Sequence, residues 1–287
     1  MLQEMLVPFE YGYMVKAMWV SGLVGCVCAF LSCYLMLKGW SLIGDALSHA
    51  IVPGVAIAYI VGLPYAFGAF FSGFLASGAI AFVKNNTKLR EDSIIGLIFT
   101  SFFAFGLLLV SIWPTSVNVQ TIILGNILGI SDEDIFQMVV ISIVTLAILI
   151  AKWKDLIVVF FDEAHARSIG LNVGALKILF FTLLSACTVA ALQTVGAMLV
   201  IAMVITPGAT AYLLVDRFER LIIIASAMGA LTGFLGAYIS FFLDGATGGI
   251  IVLLQTGIFL LAFVFAPRHG LLAARRLRLK NRAAETP

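Results

Sequence analysis

Gly39-Trp40-Ser41-Leu42-Ile43-Gly44-Asp45-Ala46-Leu47-Ser48-His49-Ala50-Ile51-Val52-Pro53-Gly54 opens an apolar run that continues to residue 62. The run is long enough to cross a bilayer as a helix, yet it carries a carboxylate and an imidazole four residues apart. That spacing places both on one helix face. No other ionisable residue lies as deep inside an apolar segment of this chain. At ~1.5 Å per residue, Asp45 lies ~8 Å and His49 ~14 Å into the run, towards mid-bilayer. Ionisable side chains are costly there and usually face a bundle interior or an aqueous path. A hard oxygen donor beside a borderline nitrogen donor suits a divalent transition metal. Two ligands from one helix do not complete a site. Backbone carbonyls, water or the same pair from a second copy about a symmetry axis are the expected complement. The competing reading is a hydrogen-bonded pair that merely locks the helix. Pro53-Gly54 speaks against it, because proline frees a backbone carbonyl and broken helices frame transport sites.

The rest of the chain has the same membrane character. Of its 287 residues 62% are hydrophobic and 11% charged, and the mean hydropathy is +1.12. An average soluble domain has about 25% charged residues, so an integral membrane protein is expected. The first twelve residues hold Glu4 and Glu10 and no Lys or Arg, so no secretory signal peptide is expected. Cys26, Cys28, Cys33 and Cys187 all sit in apolar runs. They are read as small buried hydrophobes rather than thiolate ligands or a disulfide framework.

About nine apolar runs are long enough to span: 14–37, 40–62, 64–83, 93–113, 135–153, 173–192, 195–215, 219–243 and 247–267. The count becomes eight if one run does not cross fully. Leu156 to Phe161 is expected to extend the fifth run along the interface, and Gly62-Leu63-Pro64 is a tight turn. Alternating the runs puts every Lys and Arg except Lys16 on one side. The positive-inside rule then places the C-terminus in the cytoplasm and the N-terminus outside. Residues 1–270 form the membrane domain, and 271–287 form a basic cytoplasmic tail. Val117 to Gly129 reads as a short amphipathic or re-entrant helix in an outer loop. Small residues recur every fourth position at Ala69, Gly73 and Ser77, and again at Ala225, Gly229, Gly233 and Ala237. Such stripes let helix backbones approach closely.

Two further motifs stand out. In Phe161-Asp162-Glu163-Ala164-His165-Ala166-Arg167-Ser168-Ile169-Gly170, Asp162 can cap a short helix and Gly170 can end it in the left-handed conformation. The bilayer requires no such element between the fifth and sixth runs. A docking surface for a cytoplasmic partner accounts for it, and an ordinary interfacial loop is the alternative. Thr206-Pro207-Gly208 is expected to interrupt and kink the seventh run, with Thr206 and Thr210 serving the freed backbone groups. A Gly-x-x-x-x-Gly-Lys-[Ser/Thr] phosphate loop does not occur, so ATP hydrolysis by that route is excluded. His-Glu-x-x-His and Gly-x-Ser-x-Gly are absent too, leaving common hydrolase chemistry unsupported.

These stretches carry a family resemblance. Gly44-Asp45-Ala46-Leu47-Ser48-His49-Ala50 with Pro53-Gly54, Glu91-Asp92 with Gly96 and Gly106, the Asp162–Gly170 element, Val195-Gly196 through Pro207 to Ala211, and Ser240 with Asp244 and Gly249 resemble the permease subunits of bacterial ABC importers for manganese, zinc and iron. The pattern looks most like the manganese/iron branch. The resemblance implies an all-α polytopic ABC-importer permease fold of the metal-chelate and vitamin type. It implies a second permease subunit, two cytoplasmic ATPase subunits and an extracytoplasmic metal-binding receptor. Asp45 and His49 then look like the metal ligands of the path. Asp162, Glu163, Ala164, Ala166 and Gly170, within 161–174, look like the ATPase-coupling element. The chain itself would be a non-enzymatic transport subunit with no resident cofactor. Its cargo would be Mn²⁺, Fe²⁺ or Zn²⁺, and no nucleic-acid partner is expected. The alternative function is a proton-coupled secondary metal transporter that uses Asp45 and His49 and works without an ATPase.

Overall fold

A computed structural model describes residues 2–40, 42–113, 131–267 and 270–273. The expected helix at Val117–Gly129 and the basic tail from residue 274 lie outside the described residues. The described residues form helices and no strand: α1 (Leu2–Glu10), α2 (Gly12–Lys38), α3 (Ile43–Ala50), α4 (Val52–Val61), α5 (Tyr65–Asn86), α6 (Glu91–Ile112), α7 (Asp132–Phe161), α8 (Glu163–Ser168), α9 (Val173–Val195), α10 (Ala197–Leu214), α11 (Phe218–Leu243) and α12 (Thr247–Phe265).

Among the described residues, eight spans are long and apolar enough to cross a membrane, with α3 and α4 together forming one of them. The remaining run, the seventh, is the shorter apolar helix at Leu199–Leu214. The run with the Asp–His pair is not one continuous helix. It breaks at Ile51, and Pro53 occupies the first turn of α4. Proline is accommodated there because first-turn amides have no intrahelical acceptor. Gly62 is left-handed, at φ 76°, which ends α4 and reverses the chain into α5.

The fifth run does extend through Leu156 to Phe161. α7 continues unbroken for 30 residues to Phe161, because nothing between Ala151 and Phe161 breaks a helix and Leu156, Val159 and Phe160 are buried. Pro207 does not interrupt the seventh run, since α10 carries it internally. The supporting groups come mainly from α2, where Ser32 Oγ donates to the Ile205 carbonyl at 3.1 Å and accepts from the Gly208 amide at 3.1 Å. Of the two threonines expected to help, Thr210 donates to the Thr206 carbonyl at 2.8 Å. Finally, a helix not anticipated, α1, precedes the first span. It is tied to the far end of α11 by Tyr238 Oη donating to the Met5 carbonyl at 2.9 Å.

α2 runs through the centre. It is apolar on all sides and buried over most of its length, as a helix surrounded by others must be. It packs along α11, and the stripe of small residues is the contact. A Cβ at Gly25 would lie 2.2 Å from the Gly229 carbonyl oxygen, and one at Gly233 would lie 2.3 Å from that of Ser21. Only glycine permits such backbone approach. The α11 stripe therefore serves packing inside the chain.

The two ends of the bundle differ in chemistry. One end gathers Lys38, Lys84, Glu91, Glu163 and Lys177 through ion pairs. The other holds Lys16 against Asp132 at 2.5 Å and Tyr11 against Phe241. Between them α6, α7 and α12 bury little of their surface within the chain.

Candidate functional site

α3 is short, and six of its residues are buried: Ile43, Gly44, Ala46, Leu47, Ser48 and Ala50. The two that are not are Asp45 and His49, whose side chains are 41% and 34% exposed. The helix thus hides its apolar faces and opens the one face that carries the pair. Asp45 Oδ1 and His49 Nε2 are 3.5 Å apart. Two donors about 2.1 Å from one ion, at a near-tetrahedral angle, stand roughly 3.4 Å apart. The pair is therefore already spaced to share one cation.

The surroundings hold the imidazole. Its ring lies 5.3 Å from the rings of both Phe99 and Phe103 on α6. Those phenylalanines are four apart, so they present one face to His49. At the C-terminal side, Ser72 Oγ donates to the Ala50 carbonyl at 2.6 Å, serving a backbone group at the helix break. Among the described residues no third His, Cys, Asp or Glu joins the pair. Among the described residues the chain offers two candidate side-chain ligands here, and a fuller coordination sphere would draw on backbone, water or another chain.

The second element is α8. Asp162 Oδ1 accepts from the amides of Ala164 at 2.9 Å and His165 at 3.1 Å, a side-chain N-cap. Gly170, at φ 84°, ends the turn. The Gly170 amide donates to the Arg167 carbonyl and the Leu171 amide to that of Ala166. Ala164, His165, Arg167 and Ser168 face outward. Ala166 does not. It is fully buried in the chain's own core, so its side chain cannot reach a docking partner in this arrangement. Glu163 is also engaged from within, 2.7 Å from Lys177 Nζ and 3.2 Å from Lys38 Nζ. Burial raises its carboxyl, but hydrogen bonds and charge from Lys177 and then Lys38 outweigh that and hold it below its ordinary value.

Sequence reasoning missed a third cluster at the same end. The Trp40 indole donates to Glu91, which is ion-paired to Lys84, whose ammonium sits over the Trp40 ring at 4.6 Å. Trp40 stacks on Phe181 of α9 and meets Phe160 of α7 edge-on. The only available signal was the high content of charge at the ends of runs one, three and four. Nothing in their spacing joins them.

Comparisons with known proteins agree with this architecture. The ABC 3 transport family matches residues 10–266. A chelated iron transport system membrane protein, YfeC of Yersinia pestis, is 70% identical, covering 98% of this chain and 96% of its own length. A manganese transport system membrane protein, MntB of Synechocystis, is 47% identical, covering 93% and 87%. Among solved structures, PsaBC from Streptococcus pneumoniae in complex with Fab superposes with a TM-score of 0.84 at 35% identity, covering 98% of this chain and all of that one. On the family match across nearly the whole sequence and this degree of identity, the chain belongs to the ABC 3 transport family.

Proposed function

We propose that this chain is the permease subunit of an ATP-driven importer that moves a divalent transition metal, manganese or iron, through the bacterial cytoplasmic membrane. The observation that carries the reading is the Asp45–His49 pair, 3.5 Å apart on the one open face of an otherwise buried helix. The names of the relatives, iron and manganese transport systems, support the choice of cargo. Zn²⁺ is compatible with the same donors and would outcompete Mn²⁺ on raw affinity.

The incomplete ligand set favours a second permease subunit across the open face of α3, contributing its own pair. The sparse burial of α6 within one chain agrees with such an interface. Two ATPase subunits bind at the lysine-rich end, where α8 projects, and a metal-binding receptor delivers cargo at the opposite end. Family membership favours this arrangement over the proton-coupled secondary transporter, which would need no ATPase.

The test is ATP-dependent uptake of radioactive Mn²⁺ into proteoliposomes holding the permease with its ATPase and receptor. Asp45→Ala and His49→Ala should each lower uptake at least about tenfold while the ATPase still co-purifies. Uptake at the wild-type rate by both variants would reject the site. Uptake by the permease alone, driven by a pH gradient, would reject the ATP-driven reading.

A further inference from the structure

We propose that Glu163 is a positioning residue that ties α8 to the hinge from which the Asp45–His49 helix departs. The inference rests on the permease reading above and names the contacts through which the partner-facing end addresses the site.

The connection can be traced atom by atom. Glu163 is the first residue of α8, and its carboxylate holds two lysines from different helices. Lys38 is the last residue of α2. Gly39 follows at φ 73°, with open space around it. That conformation favours glycine and ends the helix abruptly. Trp40 comes next, and its carbonyl accepts from the amide of Ile43, the first residue of α3, at 3.3 Å. From the Glu163 carboxylate to the start of the metal-pair helix there is therefore one ion pair and one short hinge.

Lys177 makes a second, parallel link. It lies on α9, one turn before Phe181, so both side chains share a face. Lys177 holds Glu163, and Phe181 stacks on the buried Trp40 with ring centroids 5.5 Å apart and 19° between planes. A third link runs along the chain itself. Phe160, two residues before the Asp162 cap, meets the Trp40 ring at 5.8 Å. Lys84 and Glu91 close the far side of Trp40. A small cavity of about 30 Å³ lies among Trp40, Lys84, Glu91, Lys177 and Phe181.

Trp40 is thus the point where α2, α5, α6, α7 and α9 meet before α3 begins. An ion pair that served only to fasten a surface loop would need one lysine. Glu163 holds two, both on the approach to that tryptophan. Both routes from Glu163 lead to Trp40, whose carbonyl accepts from the first amide of α3. Proximity alone does not prove coupling, so the test measures the coupling itself.

Wild type, Glu163→Gln, Glu163→Asp, Lys38→Gln/Lys177→Gln and the triple variant with Glu163→Gln are reconstituted with ATPase and receptor. The readout is Mn²⁺ ions moved per ATP hydrolysed. Glu163→Gln and the double lysine variant should each lower that ratio at least about fivefold. The triple variant should be no worse than either, because all of them break the same link. Glu163→Asp should recover at least half of the wild-type ratio. A wild-type ratio in Glu163→Gln, or fully additive losses, would overturn the inference. Should Glu163→Gln fail to insert, the double lysine variant decides alone, and a wild-type ratio there overturns it equally. Loss of transport in step with loss of ATPase co-purification would also overturn it, since Glu163 would then only dock the partner. Absence of ATP-driven Mn²⁺ uptake in the wild-type complex would instead count against the permease reading.

Discussion

Glu163 illustrates how a residue's protonation follows from its neighbours. Its carboxyl is pushed up by burial and pulled further down by Lys177 and Lys38, so the net shift is downward from 4.5. A lowered carboxylate contributes stability that is fully present above its unfolded value and fades as pH falls through the folded value. The window of change therefore lies below about pH 4.5. Glu163→Gln should cost about 1 kcal/mol or less, because the pair is part-exposed and screened by water. In detergent, the difference in melting temperature between wild type and variant should stay constant from pH 8 to pH 6 and close only in stronger acid. A gap that narrowed between pH 8 and pH 6 would mean that the carboxyl is not held down. Asp45 and His49 could be read from sequence, because two ionisable residues in an apolar run are conspicuous whatever the tertiary structure. The Phe99 and Phe103 rings beside His49 could not, because phenylalanine in an apolar helix carries no mark of what it faces.

At the scale of elements, α8 separates two residues that the sequence treats alike. Ala164 and Ala166 are both small, and both were natural candidates for a partner-facing surface. In the fold Ala164 faces outward and Ala166 is fully buried. Ala166→Arg forces a long cation into a packed core and should destabilise the permease by about 4 kcal/mol or more. Ala164→Arg should leave the permease as stable as wild type, within about 0.5 kcal/mol, and weaken only retention of the ATPase. Thermal unfolding of the solubilised permease, run beside co-purification, separates the two. Equal destabilisation by both variants would contradict the placement of α8. The cap at Asp162 and the left-handed Gly170 were legible in sequence because both are local, residue-by-residue requirements. The inward turn of Ala166 depends on α7 and α9 and was not. Pro207 teaches the same lesson, since the backbone groups around it are served by Ser32, far away in the chain on α2.

At the scale of the molecule, the pattern of charge and the pattern of contacts converge on one topology. Alternating the apolar runs sorts nearly all Lys and Arg to one side, and the fold joins Lys38, Lys84 and Lys177 at one end through Glu163, Glu91 and Trp40. The exception, Lys16, pairs with Asp132 at the opposite end. The apolar helices were legible because hydropathy is a local property. The break at Ile51 was foreshadowed by Pro53-Gly54, a local signal, whereas an apolar run such as 195–215 carries no mark of where its helix stops. If basic residues face the cytoplasm, Asn86 lies inside and Glu133 outside, and both are exposed enough to label. A variant with Cys26, Cys28, Cys33 and Cys187 replaced by alanine should accept a single cysteine at either position, because neither packs in the core. In intact spheroplasts a membrane-impermeant maleimide should modify Glu133→Cys at once. Asn86→Cys should react only after the membrane is permeabilised. The reverse pattern would invert the topology and place α8 on the outer face, where no ATPase could reach it. Equal labelling of both positions in intact cells would mean that the number of crossings between α5 and α7 is not the one read from hydropathy.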